Sequence, residues 1–142
     1  MEEKILICAD VIAVCLGKIV LVQRLNKPAG FALPGGKHDP GEFLSDAASR
    51  EFFEETGLSL EIENVLGTFA DSRRDPRGRY VSTVFTGRAS GTPKDEPGKT
   101  KVVLLAKEEL SGIKGRILFD HWEMLEKYLE LLKKKKKEAE DG

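Results

Sequence analysis

Cysteine is scarce. The chain has two, Cys8 and Cys15, both inside an apolar run, and their spacing fits no metal motif. Reduced, buried thiols are the expected state. Neither has a histidine near it in sequence, so nothing resembles a nucleophilic triad. Net charge is scarce as well: 23 Lys and Arg against 24 Asp and Glu leave −1. The whole-molecule field therefore gives no argument for nucleic acid or an anionic membrane as a partner. Long apolar runs are missing too. Residues 5–22 come nearest, but Asp10 and Lys18 interrupt them, and the opening Met-Glu-Glu lacks a basic n-region. Neither a spanning helix nor a signal peptide is expected, and the expected location is cytoplasmic. No repeat, linker or second domain is visible.

What is present suits one charge-rich globular domain. The chain has 142 residues, 40% apolar and 33% charged, enough for a real core. Residues 1–132 are expected to form a single domain. Residues 133–142 open with five lysines and read as a frayed, solvated tail; such a run could also touch an acidic partner.

The informative stretch is 34–58, Pro-Gly-Gly-Lys-His-Asp-Pro-Gly-Glu-Phe-Leu-Ser-Asp-Ala-Ala-Ser-Arg-Glu-Phe-Phe-Glu-Glu-Thr-Gly-Leu. A glycine-rich loop runs into a helical pattern at 44–56, ended by Gly57. Leu44, Ala47 and Ala48 form a narrow apolar stripe. One turn further the stripe lands on Glu51 and Glu55, with Glu54 beside them. Like charges at this spacing destabilise a helix. Clustered carboxylates also raise one another's pKa unless a cation sits among them. Mg²⁺ or Mn²⁺ would remove the conflict, since hard oxygen ligands suit both. Glu42, just before the helix, is close enough to join. Arg50 can pair with Glu54 at i,i+4.

A solvated acidic face would be the bland account, but the spacing argues against it. From Gly36 the chain reads five residues, Glu42, seven residues, Arg50-Glu51, Phe52, one residue, Glu54-Glu55, one residue, Gly57, Leu58. This is the Nudix box at every defined position, so the chain resembles the Nudix hydrolase family. Seven identities at average usage arise by chance on the order of 10⁻⁸ times per starting point. The resemblance implies an α/β/α sandwich around a mixed sheet. It also implies Mg²⁺-dependent (or Mn²⁺-dependent) hydrolysis of a nucleoside diphosphate linked to another moiety. By the same carry-over Glu51, Glu54 and Glu55 are metal ligands, Glu42 is a further one, and Arg50 orients them. The Gly35 and Gly36 backbone approaches metal and phosphates, which puts Gly36 among the metal-site residues. Phe43 departs from the family, where a small capping residue is common.

Around the box the pattern predicts strands at 4–15, 18–23, 31–33, 60–62, 65–70, 80–88 and 101–105. It adds a helical turn at 107–110 and a final helix capped by Asp120, with Trp122, Leu125, Tyr128, Leu129 and Leu132 as its packing face. The polar turn 71–78 and the long loop 89–100 lie between strands. A mixed sheet with helices on both sides follows. A homodimer through an exposed first strand is a further expectation.

A general base should reach the attacking water. Glu54 in the box, and Asp95 and Glu96 on the long loop, are the candidates; the sequence does not choose among them. His38 reads as a solvated loop residue and His121 as structural. For the substrate, Asp75-Pro76-Arg77-Gly78 resembles the loop of ADP-ribose pyrophosphatases in the family. Arg73, Arg74 and Arg77 could bind phosphate or ribose oxygens. Arg24 could contact phosphate, and Phe31 could stack on a base or belong to the core. ADP-ribose is the first expectation. Oxidised nucleoside triphosphates come next, although base readers are few, with only Asn26 and Asn64 as asparagines. Dinucleoside polyphosphates and a non-catalytic sensing module complete the alternatives.

Overall fold

The computed structural model describes residues 5–70 and 79–141. Its elements are β1 (Ile5–Cys15), β2 (Lys18–Arg24), β3 (Gly30–Ala32), β4 (Gly35–Lys37), α1 (Leu44–Thr56), β5 (Ser59–Phe69), β6 (Arg79–Ser90) and β7 (Thr100–Leu105). A 3₁₀ segment, Lys107–Arg116, and α2 (His121–Asp141) complete the order.

Strand alternation explains the layering. On β1, Ala9, Val11, Ala13 and Cys15 pack with Ala47, Ala48 and Phe52 of α1. Ile12, one residue out of phase, packs with Met124 and Leu125 of α2. Val20 faces α1, while Ile19 and Leu21 face α2; Phe85 and Val84 divide in the same way. Successive side chains of a strand point to opposite faces, so α1 and α2 cover opposite sides of one mixed sheet. The expected α/β/α arrangement is what the structure has.

The sheet is split where the site forms. Among the described residues it has seven strands, ordered β3-β2-β1-β6-β5, with β4 added to β1 and β7 to β2. β1 and β2 pair only beside their turn, at Val14↔Ile19 and Cys15↔Lys18. Beyond it β1 runs parallel to β6 and takes β4 antiparallel at Cys8–Asp10. β2 instead takes β3 and β7. The gap between the two groups is where the glycine segment passes.

Four expectations change. Part of the glycine loop is itself a strand, β4, because β1 offers it free backbone groups. The segments 60–62 and 65–70 form one strand, β5, with register shifts between Ile62 and Asn64 and between Val65 and Gly67. Such irregularities break the alternation that sequence reading relies on. β1 is an interior strand rather than an exposed edge: β6 runs along one side of it, and β2 and β4 pair with parts of the other. Finally, α2 continues through the lysines to Asp141 instead of fraying at 133. Lys, Glu and Ala are good helix formers, and no Gly or Pro intervenes before Gly142.

Candidate active site

α1 starts without a side-chain cap, at Phe43, which is 78% exposed. Asp46 lies in its first turn, where a negative charge suits the helix dipole. Its end is sharply defined. Gly57 takes φ 73°, in the left-handed region that favours glycine, and donates its N–H to the Phe53 carbonyl at 2.8 Å. Thr56 Oγ1 donates to the Phe52 carbonyl and accepts from Leu58 N–H. The last turn, which carries Glu54 and Glu55, is therefore firmly placed, with Glu51 one turn before it.

Arg50 organises the carboxylates. Its Nε donates to Glu42 Oε2 at 2.8 Å and its Nη2 to Glu42 Oε1 at 3.0 Å. Nη1 donates to Glu51 Oε1 at 2.9 Å and reaches both Glu54 oxygens at 3.4 Å. Nη2 also donates to the Lys37 carbonyl. The expected Arg50–Glu54 pair is present but is the longest of these contacts. Glu42 also accepts the Asp39 N–H. Hydrogen bonding from Arg50, helped by Asp39, holds the Glu42 carboxyl down to about 2. Glu42, with its partners, raises the Arg50 pKa in return.

Glu51 and Glu55 sit deeper. Burial raises the Glu51 pKa, against the Arg50 hydrogen bond. Burial pushes the Glu55 carboxyl up to about 8, opposed by the Gly35 N–H and reinforced by the charges of Glu51, Asp10 and Glu96. Gly35 N–H donates to Glu55 Oε1 at 3.2 Å. A Cβ on Gly36 would come within 2.6 Å of the Glu51 carboxyl carbon. Both carboxylates thus lie against the glycine strand.

Two adjoining pockets share Glu55 and Arg24. One is lined by Glu51, Glu54, Glu55 and Glu96 together with Arg24, Asn26, Lys99 and Thr100. The other, in the split of the sheet, is lined by Cys8, Asp10, Val22, Leu33, Tyr80, Phe119 and His121, among others. The turn 96–100 is tied to β2: Leu25 N–H donates to the Lys99 carbonyl and Asn26 Nδ2 to the Gly98 carbonyl. That tie directs Glu96 toward the box glutamates. Asp95 is used otherwise, accepting the Val102 N–H at 2.7 Å.

The other expected residues fall unevenly. Arg24 lines both pockets, with its Nε on the Pro28 carbonyl. Phe31 is in the core, 7% exposed, beneath the Arg116 guanidinium at 4.8 Å from its ring centre. It is outside both linings, so the stacking expectation for it is replaced by packing. Glu42 also lies outside both linings, with both oxygens on Arg50. Arg74 and Arg77 lie outside the described residues. Asp10, Tyr80, Phe119, Lys99 and Thr100 were not foreseen. Only Asp10 carried a signal, as a charge in an otherwise apolar strand.

A family model described as the NUDIX domain matches residues 6–138. The chain belongs to the Nudix domain family. Its relatives include an ADP-ribose pyrophosphatase from Methanocaldococcus jannaschii, 36% identical over 118 residues, 79% of this chain and 66% of that protein. A putative 8-oxo-dGTP diphosphatase from Bacillus subtilis is 34% identical over 73 residues, 51% of this chain and 48% of that protein. This Nudix chain thus spans less than two thirds of either relative. A bifunctional NMN adenylyltransferase/ADP ribose pyrophosphatase from Francisella tularensis, solved with AMP and a Mn ion, aligns with TM-score 0.79 and 25% identity, covering 91% of this chain and 42% of that one.

Proposed function

We propose that this Nudix domain hydrolyses the pyrophosphate of a nucleoside diphosphate derivative with Mg²⁺, and that ADP-ribose, cleaved to AMP and ribose 5-phosphate, is its substrate. The observation that carries the reading is the shared wall. Glu55 and Arg24 line both the carboxylate pocket and the aromatic-sided pocket in the sheet split. A phosphate chain in the first would continue into a nucleoside or ribose in the second. The activity of the archaeal relative supports ADP-ribose over other derivatives.

The donor set fits a hard divalent cation. Glu51, Glu55 and the Gly36 carbonyl would hold it, with Glu54 joining. Among the described residues no three such side chains are gathered into a ready cage; Arg50 pairs with Glu51 at 2.9 Å and with Glu54 at 3.4 Å. Arg50 thus supplies counter-charge beside the carboxylates. Such a cation, when bound, would neutralise the charge that develops on the scissile phosphate and favour deprotonation of the attacking water.

The chain's own residues do the rest. Arg24 offers its outer guanidinium N–H groups to phosphate oxygens, its Nε being anchored on Pro28. Glu96, facing the pocket from its tied turn, accepts the proton of the water. Glu54 is a weaker candidate because Arg50 contacts both its oxygens.

The test is a hydrolysis panel with Mg²⁺: ADP-ribose, sugar nucleotides, diadenosine polyphosphates, and normal and oxidised nucleoside triphosphates. ADP-ribose should lead, with AMP as product. A triphosphate leading with pyrophosphate release would move the reading to nucleotide sanitation. Binding without turnover would make the domain a sensor.

A further inference from the structure

His121 takes no part in the hydrolysis just described, yet it is 4% exposed and touches the segment that delivers the site. Its Nδ1 accepts the Leu33 N–H at 2.9 Å, in a buried hydrogen bond between residues 88 apart in sequence. That bond leaves the proton of a neutral ring on Nε2. Nε2 lies 3.8 Å from Asp10 Oδ2, which also accepts the Ser82 hydroxyl. The other oxygen, Asp10 Oδ1, occupies the space a Cβ on Gly35 would need. Pro34 accepts the Val11 N–H at 2.9 Å, and Gly35 N–H donates to Glu55. Leu33, Pro34 and Gly35 are thus each fixed by a separate partner. His121 holds the first of them from the α2 side.

We propose that His121 is a positioning residue for the glycine strand: by accepting the Leu33 N–H it sets Gly35 and Gly36, and through them Glu55 and the backbone against which Glu51 lies. The proposal rests on the metal reading of Glu51 and Glu55 for its consequence, not for its geometry. A histidine that merely packed beneath β3 would need no acceptor aimed at a backbone N–H. Phe119, edge-on to the ring at 5.3 Å, already supplies the packing.

The decisive variants of the full chain are His121→Asn and His121→Gln. The Asn carboxamide can place an acceptor near the position of Nδ1; that of Gln reaches toward Nε2. Met124→Ala, at a fully buried position less than a turn further along α2, controls for loss of core packing. Two quantities are read: Mn²⁺ affinity by calorimetry, and hydrogen exchange of the Gly35 amide relative to the buried Phe85 amide. His121→Gln should weaken Mn²⁺ about tenfold, as loss of a group that orients metal ligands does, and should speed Gly35 exchange more than Phe85 exchange. His121→Asn should restore both. Met124→Ala should lower Tm while leaving Mn²⁺ affinity within about twofold. Equal behaviour of the Asn and Gln variants, or a Gln variant with unchanged Gly35 exchange, overturns the proposal. If the wild type binds no Mn²⁺, the metal reading fails, and the Gly35 exchange ratio alone decides the role of His121.

Discussion

Glu55 Oε1 accepts the Gly35 backbone N–H across 3.2 Å, tying the last turn of α1 to the glycine strand. This one bond makes the residue a member of both halves of the site. It also gives Glu55 two separable properties, an acceptor oxygen and a titrating proton.

Glu55→Gln keeps the acceptor and removes the proton. In the proposed enzyme it should lower kcat by about a hundredfold or more, the scale of losing one preorganised charge-stabilising group, with the fold intact. The pH response separates the two properties. The folded Glu55 pKa is raised from 4.5 to about 8 by burial, so the folded state binds the proton more tightly than the unfolded chain. That contribution to stability is full below about pH 4.5 and is lost as pH rises through about 8. With EDTA present, wild-type Tm should therefore fall relative to Glu55→Gln between these limits. Adding Mg²⁺ at pH 8 should reverse the difference. A pH-independent difference in EDTA would show that Glu55 does not titrate in this window.

The neighbouring glycines should fail in different ways. A Cβ on Gly35 would collide with the Ala9 carbonyl and Asp10 Oδ1, on a strand that cannot give way. Gly35→Ala should cost about 1–3 kcal/mol, the range for overpacking. A Cβ on Gly36 would instead meet the Glu51 carboxyl, the movable end of a side chain. Gly36→Ala should leave stability within about 1 kcal/mol of wild type. It should weaken Mn²⁺ about tenfold by displacing Glu51. Denaturant midpoints and Mn²⁺ titrations of the two variants check this; matching losses in both measurements would contradict it.

The box was legible because its residues are local. Glu51, Glu54 and Glu55 share one helix end, and Arg50 precedes them. Spacing alone therefore places them together. The pocket in the sheet split was not legible, because Asp10, Tyr80 and His121 come from β1, β6 and α2. Only the parting of β1 from β2 brings them to one wall. Phe31 illustrates the same limit. Alternation along a three-residue strand cannot say which face is core; in the structure Phe31 belongs to the same core cluster as Leu110, Met124 and Leu125. The lysine run was misjudged for another reason: like charges suggested fraying, while propensity and an unbroken helical pattern carried α2 to Asp141.

Asp95 and Glu96 are adjacent acids that the sequence could not rank, and the structure gives them different work. Asp95 Oδ1 accepts the Val102 N–H at the start of β7. Glu96 lines the carboxylate pocket. Asp95→Ala should therefore cost about 1 kcal/mol of stability for the lost hydrogen bond and leave kcat near wild type. Glu96→Gln should leave Tm unchanged and lower kcat at least about a hundredfold, as expected for loss of a general base. Glu54→Gln, measured in the same way, is the control. If Glu54→Gln shows the roughly hundredfold loss of kcat and Glu96→Gln does not, the base lies on α1, and the tied turn 96–100 serves only to close the pocket.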